Sequence, residues 1–114
     1  MRGARGRIGA HGELLAAEWY TARGYEVLDR NWRCSIGELD LVLRKGPTVV
    51  VCEVKTRTTL LYGSPAEAVT VAKRVRVRRL AARWLMDHDV HAPNVRFDVA
   101  AVLGGHVEII PGAW

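Results

Sequence analysis

The sequence predicts an α/β sandwich: a mixed β-sheet with flanking helices, in the order α-β-β-β-α-β-β. Three observations predict it. A helical stripe opens the chain, three runs of strand periodicity come next, and a basic helix separates them from a closing hairpin. At 114 residues the chain is long enough for one real core, so residues 1–114 are expected to form a single domain.

Residues 10–22 read as the first helix, with Leu14, Ala17 and Thr21 on one stripe and Leu15, Trp19 and Ala22 beside it. Gly24 is placed as its stop. Residues 25–32 form a first strand. Residues 37–43 alternate Leu39, Leu41 and Leu43 against Glu38, Asp40 and Val42, the period of a second. After the turn Lys45-Gly46-Pro47, residues 48–56 are β-branched and nearly continuous, as expected of a central strand. Ser64-Pro65-Ala66-Glu67 starts a helix with a hydroxyl cap, Pro at the first position and Glu at the third. Its pattern runs to about Met86 with a break near Thr70, and Val77, Leu80, Ala81, Trp84 and Leu85 form its apolar face. Residues 95–103 alternate again, Gly104-Gly105 turns the chain, and His106–Ile110 returns it as a hairpin.

Composition excludes several classes. The 49% hydrophobic and 25% charged fractions are those of an ordinary globular protein. No apolar run approaches the roughly 18 to 20 residues of a spanning helix. The arginines at 2, 5 and 7 resemble the start of a signal segment, but His11, Glu13 and Glu18 interrupt the stretch where its apolar region would lie. A cytoplasmic location without membrane partners is expected, with residues 1–8 as a flexible basic arm. Cys34 and Cys52 lack metal-site spacing and are expected as reduced thiols. No phosphate loop, nucleophilic triad or nicotinamide fingerprint is visible.

The chemistry concentrates in Gly37-Glu38-Leu39-Asp40-Leu41 and Val51-Cys52-Glu53-Val54-Lys55. Ionisable groups in strands this apolar are costly unless they are paired or hold a metal. Strand alternation puts Glu53 and Lys55 on one side, and Glu38 and Asp40 likewise. A two-residue loop at Lys45-Gly46 pairs Asp40 with Val51, whereas a four-residue loop pairs Asp40 with Glu53. Both orient Asp40, Glu53 and Lys55 alike, with the acids roughly 5 to 8 Å apart. A three-residue loop or a bulge breaks the arrangement. Two carboxylates at that range suit Mg²⁺ or Mn²⁺, with the Val54 carbonyl as a further ligand. Such an ion generates a nucleophilic water near neutral pH, which Lys55 would orient. The competing reading is a surface ladder of Glu53 between Lys55 and Arg57.

Asp-x12-Glu-x-Lys across a hairpin resembles the PD-(D/E)xK restriction-endonuclease-like superfamily. Gly12-Glu13, Gly24-Tyr25, Arg30-Asn31-Trp32-Arg33, the two strand motifs, Tyr62-Gly63-Ser64-Pro65, Lys73 and Arg96-Phe97-Asp98-Val99 resemble the YraN family along nearly the whole chain. That family is similar to archaeal Holliday-junction resolvases. The resemblance implies a restriction-endonuclease-like sandwich and Asp40, Glu53 and Lys55 as catalytic positions. It also implies a carboxylate from the first helix, matched by Glu13. Glu38 is a further auxiliary candidate. Cys52 stands where the family usually has Phe, and faces away from the site.

Residues 69–86 contain no acid but carry Lys73, Arg74, Arg76, Arg78, Arg79 and Arg83. A solvated face would normally mix signs, so this stretch suits phosphate contact. Arg30, Arg33 and Arg57 extend the basic set, and Trp32 is either a stacking platform or core. The formal charge of +5 points the same way, although codon bias would also enrich arginine. His88 and His91 lie in a turn without further ligands, and no metal is expected there.

The expected function is Mg²⁺- or Mn²⁺-dependent, structure-selective hydrolysis of DNA, branched or single-stranded, because the chain has no room for a recognition module. Cutting two strands would require a homodimer. The alternatives are a non-catalytic nucleic-acid-binding or scaffolding protein on the same fold, and an adaptor docking an acidic partner.

Overall fold

The structure, a computed structural model, describes the backbone of residues 4–57 and 70–114 and the side chains of residues 11–56 and 70–114. Its elements are α1 (Ala4–Thr21), β1 (Glu26–Cys34), β2 (Gly37–Lys45), β3 (Thr48–Arg57), α2 (Val71–Asp87), β4 (Asn94–Leu103) and β5 (His106–Ile110). The five strands form one sheet in sequential order. Only β3 and β4 pair in parallel, and the other neighbours are antiparallel. A parallel pair cannot be joined by a tight turn, so the chain crosses over between them through α2. The result is a restriction-endonuclease-like α/β sandwich, as the sequence predicts.

Each helix covers one face of the sheet. Ala16, Ala17 and Tyr20 of α1 pack on Leu41, Leu43, Val50, Cys52 and Ala100. Val77, Leu80, Ala81 and Trp84 of α2 pack on Leu39, Val42, Val49, Val51 and Phe97. Strand β3 therefore alternates cleanly between two buried faces, which explains its unbroken apolar run. Helix α1 approaches closely at Gly12, where a Cβ would collide with the Thr56 hydroxyl. Tyr20 donates to Asp98 at 2.6 Å, tying α1 to β4.

Several expectations change. Helix α1 begins at Ala4, so residues 4–8, expected in a flexible arm, are helical in backbone, while residues 1–3 lie outside the described residues. The helix start expected at Ser64 lies outside them too. The break near Thr70 is the N-cap of α2, where the Thr70 hydroxyl accepts the Lys73 N–H at 3.2 Å. Alternation in β2 fails at one point: Leu39 packs with the α2 side, but Leu41 and Leu43 pack with the α1 side. The hairpin turns over between Leu39 and Leu41, and Asp40 sits at the crossing. Across the ladder β1 is irregular too, with a bulge between Val27 and Asp29 and Asn31 in a left-handed conformation at φ 50°.

Candidate functional site

The β2–β3 hairpin closes on a two-residue loop, Gly46-Pro47, and pairs regularly from Lys45↔Thr48 to Leu41↔Cys52. The ladder ends there, so Asp40 and Glu53, anticipated as a direct pair for the longer loop, lie one step beyond the last paired residues. The carboxylate of Asp40 accepts the Val54 N–H at 2.8 Å. Cys52 and Val54 belong to the α1 side and Val51 to the α2 side. Alternation thus turns Glu53 and Lys55 towards α2.

Asp40, Glu53 and Lys55 line one cleft of about 390 Å³ between the sheet and α2. Glu38 stands at its rim, Lys73 and Arg76 reach it from α2, and Val77 and Leu80 form apolar wall. Gly37 lies against Leu80 and Arg76, which brings the β1–β2 turn up to the helix.

Burial sets the electrostatics. Glu53 is 4% exposed. Burial, then repulsion from Asp40, pushes its carboxyl up to about 7, against the pull of Lys73 and Lys55. Asp40 is raised for the same first reason, although its hydrogen bond from Val54 opposes the shift. Lys55 is lowered to about 8 by burial and by its hydrogen-bonded neighbour Lys73. Burial also pulls Lys73 down, but the hydrogen bond to Lys55 and the charges of Glu53 and Asp40 outweigh it, and Lys73 is raised. The two lysines therefore differ. Lys55 is the amine closer to neutrality, and Lys73 holds its charge.

One carboxylate oxygen is left over. Lys73 Nζ stands 3.5 Å from Glu53 Oε2, while Glu53 Oε1 is buried without a hydrogen-bond partner. A buried unpaired oxygen is costly, and a cation would relieve it. Among the described residues no group of three or more His, Cys, Asp or Glu side chains forms a metal-ligand set. Two carboxylates completed by a backbone carbonyl and water are nevertheless what Mg²⁺ commonly uses. The donor set fits a hard divalent cation.

The other predicted residues divide. Glu13, half-buried on α1, is outside the residues lining the cleft. Lys73, expected on a binding surface, belongs to the cleft itself. Sequence reading missed this role, yet a signal existed: a lysine in a first helical turn that lacks any acid runs against the helix dipole. Arg76 lines the cleft, and Arg79 and Arg83 succeed it at helical spacing on the same stripe. Arg83 also pairs with Asp87 at 3.2 Å. Arg78 lies over the Phe97 ring at 4.9 Å on the other flank, near Arg74 in the helical order. Arg33 pairs with Glu38 at 3.0 Å, Arg30 is exposed, and the Arg57 side chain lies outside the described residues. Trp32 packs at the margin of the α2-side core, edge-on to His88. Cys34 and Cys52 are free thiols, as expected, and no described helix is long and apolar enough to cross a membrane.

The model of a family described as Uncharacterised protein family UPF0102 matches residues 12–102, a span that holds every acid and amine of the cleft. The chain belongs to this family. It is the YraN family that the sequence motifs resemble. A UPF0102 protein of Beutenbergia cavernae is 60% identical, covering 88% of this chain and 85% of the relative. One from Rhodococcus jostii is 54% identical over 87% and 84% respectively, and one from Nocardioides sp. is 52% identical over 84% and 77%. Members of UPF0102 thus extend along most of the fold as well as the motifs.

Proposed function

We propose that the chain is a metal-dependent nuclease-like protein that hydrolyses phosphodiester bonds in DNA, selecting branched or single-stranded forms. The observation that carries this reading is the acid pair of half-buried Asp40 and buried Glu53 in one cleft with Lys55, Lys73 and Arg76, with Glu53 Oε1 unpartnered. A purely structural ion pair would satisfy its oxygens, because an unmet buried acceptor costs about 1 to 3 kcal/mol.

Asp40 and Glu53 would hold Mg²⁺ or Mn²⁺ with the Val54 carbonyl. When bound, the ion would supply positive charge against the phosphate oxygens and acidify a water. Lys55, lowered to about 8, would orient that water and, in its neutral form, take its proton. The water oxygen bonds to phosphorus while one ester P–O bond breaks, and the departing oxygen is released as an alcohol once protonated by solvent. Arg76 would hold the phosphate against the wall of α2, and the stripe of Arg79 and Arg83 would carry the adjoining backbone. A homodimer would be needed to cut two strands together.

The test is cleavage of branched, flapped and single-stranded DNA with Mg²⁺ or Mn²⁺ by the native chain and Lys55→Ala. A rate reduced about 100-fold or more by the substitution is expected of a group that moves a proton. Equal rates would remove the mechanism. The second reading, a non-catalytic nucleic-acid-binding protein, is favoured by the run of basic side chains on α2, which meets no acid before Asp87 at its C-terminal end. It predicts DNA binding with no cleavage in either protein.

A further inference from the structure

We infer that Lys73 is a built-in counter-ion that competes with the divalent cation for the Asp40–Glu53 pair, so that loading the site requires the ammonium to withdraw from Glu53. The inference rests on the metal-site reading above and adds a residue outside the strand motifs to it.

Three observations carry it. First, Lys73 Nζ is 3.5 Å from Glu53 Oε2, and it acts electrostatically on Asp40 as well as Glu53. A single ammonium thus serves both acids. Second, its position is fixed by the fold. Lys73 is the third residue of α2, and its backbone N–H is held by the Thr70 cap. That position favours an acid, because the helix N-terminus carries partial positive charge, yet the first turn has none. The side chain reaches the acid pair, whose negative charge offsets that local cost. Third, the ammonium leaves Glu53 half-served: Oε1 remains unpartnered and buried. A compact cation between the acids would satisfy more oxygens than a tethered amine does. Lys73 is one-third exposed, so it has an outward path. Arg76, proposed to hold the phosphate, lines the same cleft. The arrangement keeps the acids neutralised before loading and frees a cation when the metal arrives.

The test is Mn²⁺ titration of the full chain by calorimetry, comparing the native protein with Lys73→Gln and with Arg23→Gln, a charge-matched control beyond the C-terminal end of α1. Lys73→Gln is expected to bind Mn²⁺ at least about tenfold tighter, since a unit charge a few ångströms away is removed. Arg23→Gln should match the native chain. A second readout tracks the Lys73 Cε resonance during Mg²⁺ addition, which should move in step with occupancy and without loss of fold. Equal Mn²⁺ affinity in native and Lys73→Gln proteins, or a stationary Lys73 resonance, overturns the competition and leaves the metal site standing. Absence of Mn²⁺ binding in all three proteins overturns the metal-site reading and this inference with it.

Discussion

The Asp40 carboxylate accepts the Val54 N–H at 2.8 Å, taking the place of a backbone acceptor where β2 and β3 stop pairing. One oxygen is therefore structural, while Asp40 also lines the cleft. Asp40→Asn keeps an oxygen for Val54 and removes a charge that burial disfavours. It should fold at least as stably as the native chain but bind Mn²⁺ at least roughly tenfold more weakly, having lost one of two anionic ligands. Asp40→Ala strands the Val54 N–H and should be less stable than Asp40→Asn by about 1 to 3 kcal/mol. Urea unfolding at pH 8 and Mn²⁺ calorimetry separate the two effects.

Glu53 makes stability depend on pH. Its carboxyl rises from 4.5 in the unfolded chain to about 7 in the fold. Below pH 4.5 both states hold the proton. Between 4.5 and 7 only the folded state does, so stability falls as pH rises and levels off above 7. The shift corresponds to about 3 kcal/mol. Glu53→Gln should remove most of this slope, read as the difference in urea midpoint between the two proteins from pH 5 to 8 in chelator. An unchanged slope would mean that Glu53 is ionised throughout.

The other buried acid behaves differently. Asp98 is 0% exposed and fully satisfied. It accepts from Tyr20 at 2.6 Å, twice from Arg96 at 2.8 and 2.9 Å, and from the Gly112 N–H at 3.0 Å. Four donors on two oxygens leave no room for a ligand, which marks a structural anchor joining α1, β4 and the segment after β5. Asp98→Ala should destabilise the chain by about 3 to 5 kcal/mol, because it leaves Arg96 and the Tyr20 hydroxyl without their partner. Tyr20→Phe should cost about 1 to 3 kcal/mol. Chemical denaturation checks both, and Mn²⁺ affinity should not change with either substitution while the fold persists.

Polyanion binding should be uneven around α2. Arg76, Arg79 and Arg83 lie on the stripe that leads from the cleft, while Arg78 is turned over Phe97. Replacing the first three by Gln should reduce the slope of log affinity against log salt by about 2 for a single-stranded oligonucleotide. Arg78→Gln should change it by less than about 1. Fluorescence anisotropy across a salt series gives both slopes. Equal slopes in all variants would point away from a DNA-facing helix.

Much was legible in the sequence. The β-branched run of β3, the Gly104-Gly105 turn and the apolar face of Val77, Leu80, Ala81 and Trp84 gave the element order, because strand and helix periods are local properties of the chain. Glu53 and Lys55 were legible as partners, since residues two apart on a strand share a face. What the tertiary structure decided was which faces meet. Leu39 left the alternation of β2 because the hairpin turns over at Asp40, and no local period records such a crossing. Lys73 looked like surface charge until α2 packed across the sheet and set its amine beside Glu53. Periodicity acts between neighbours along the chain, whereas burial and Coulomb interaction depend on distance in space, and only folding brings a lysine about twenty residues away against a buried acid.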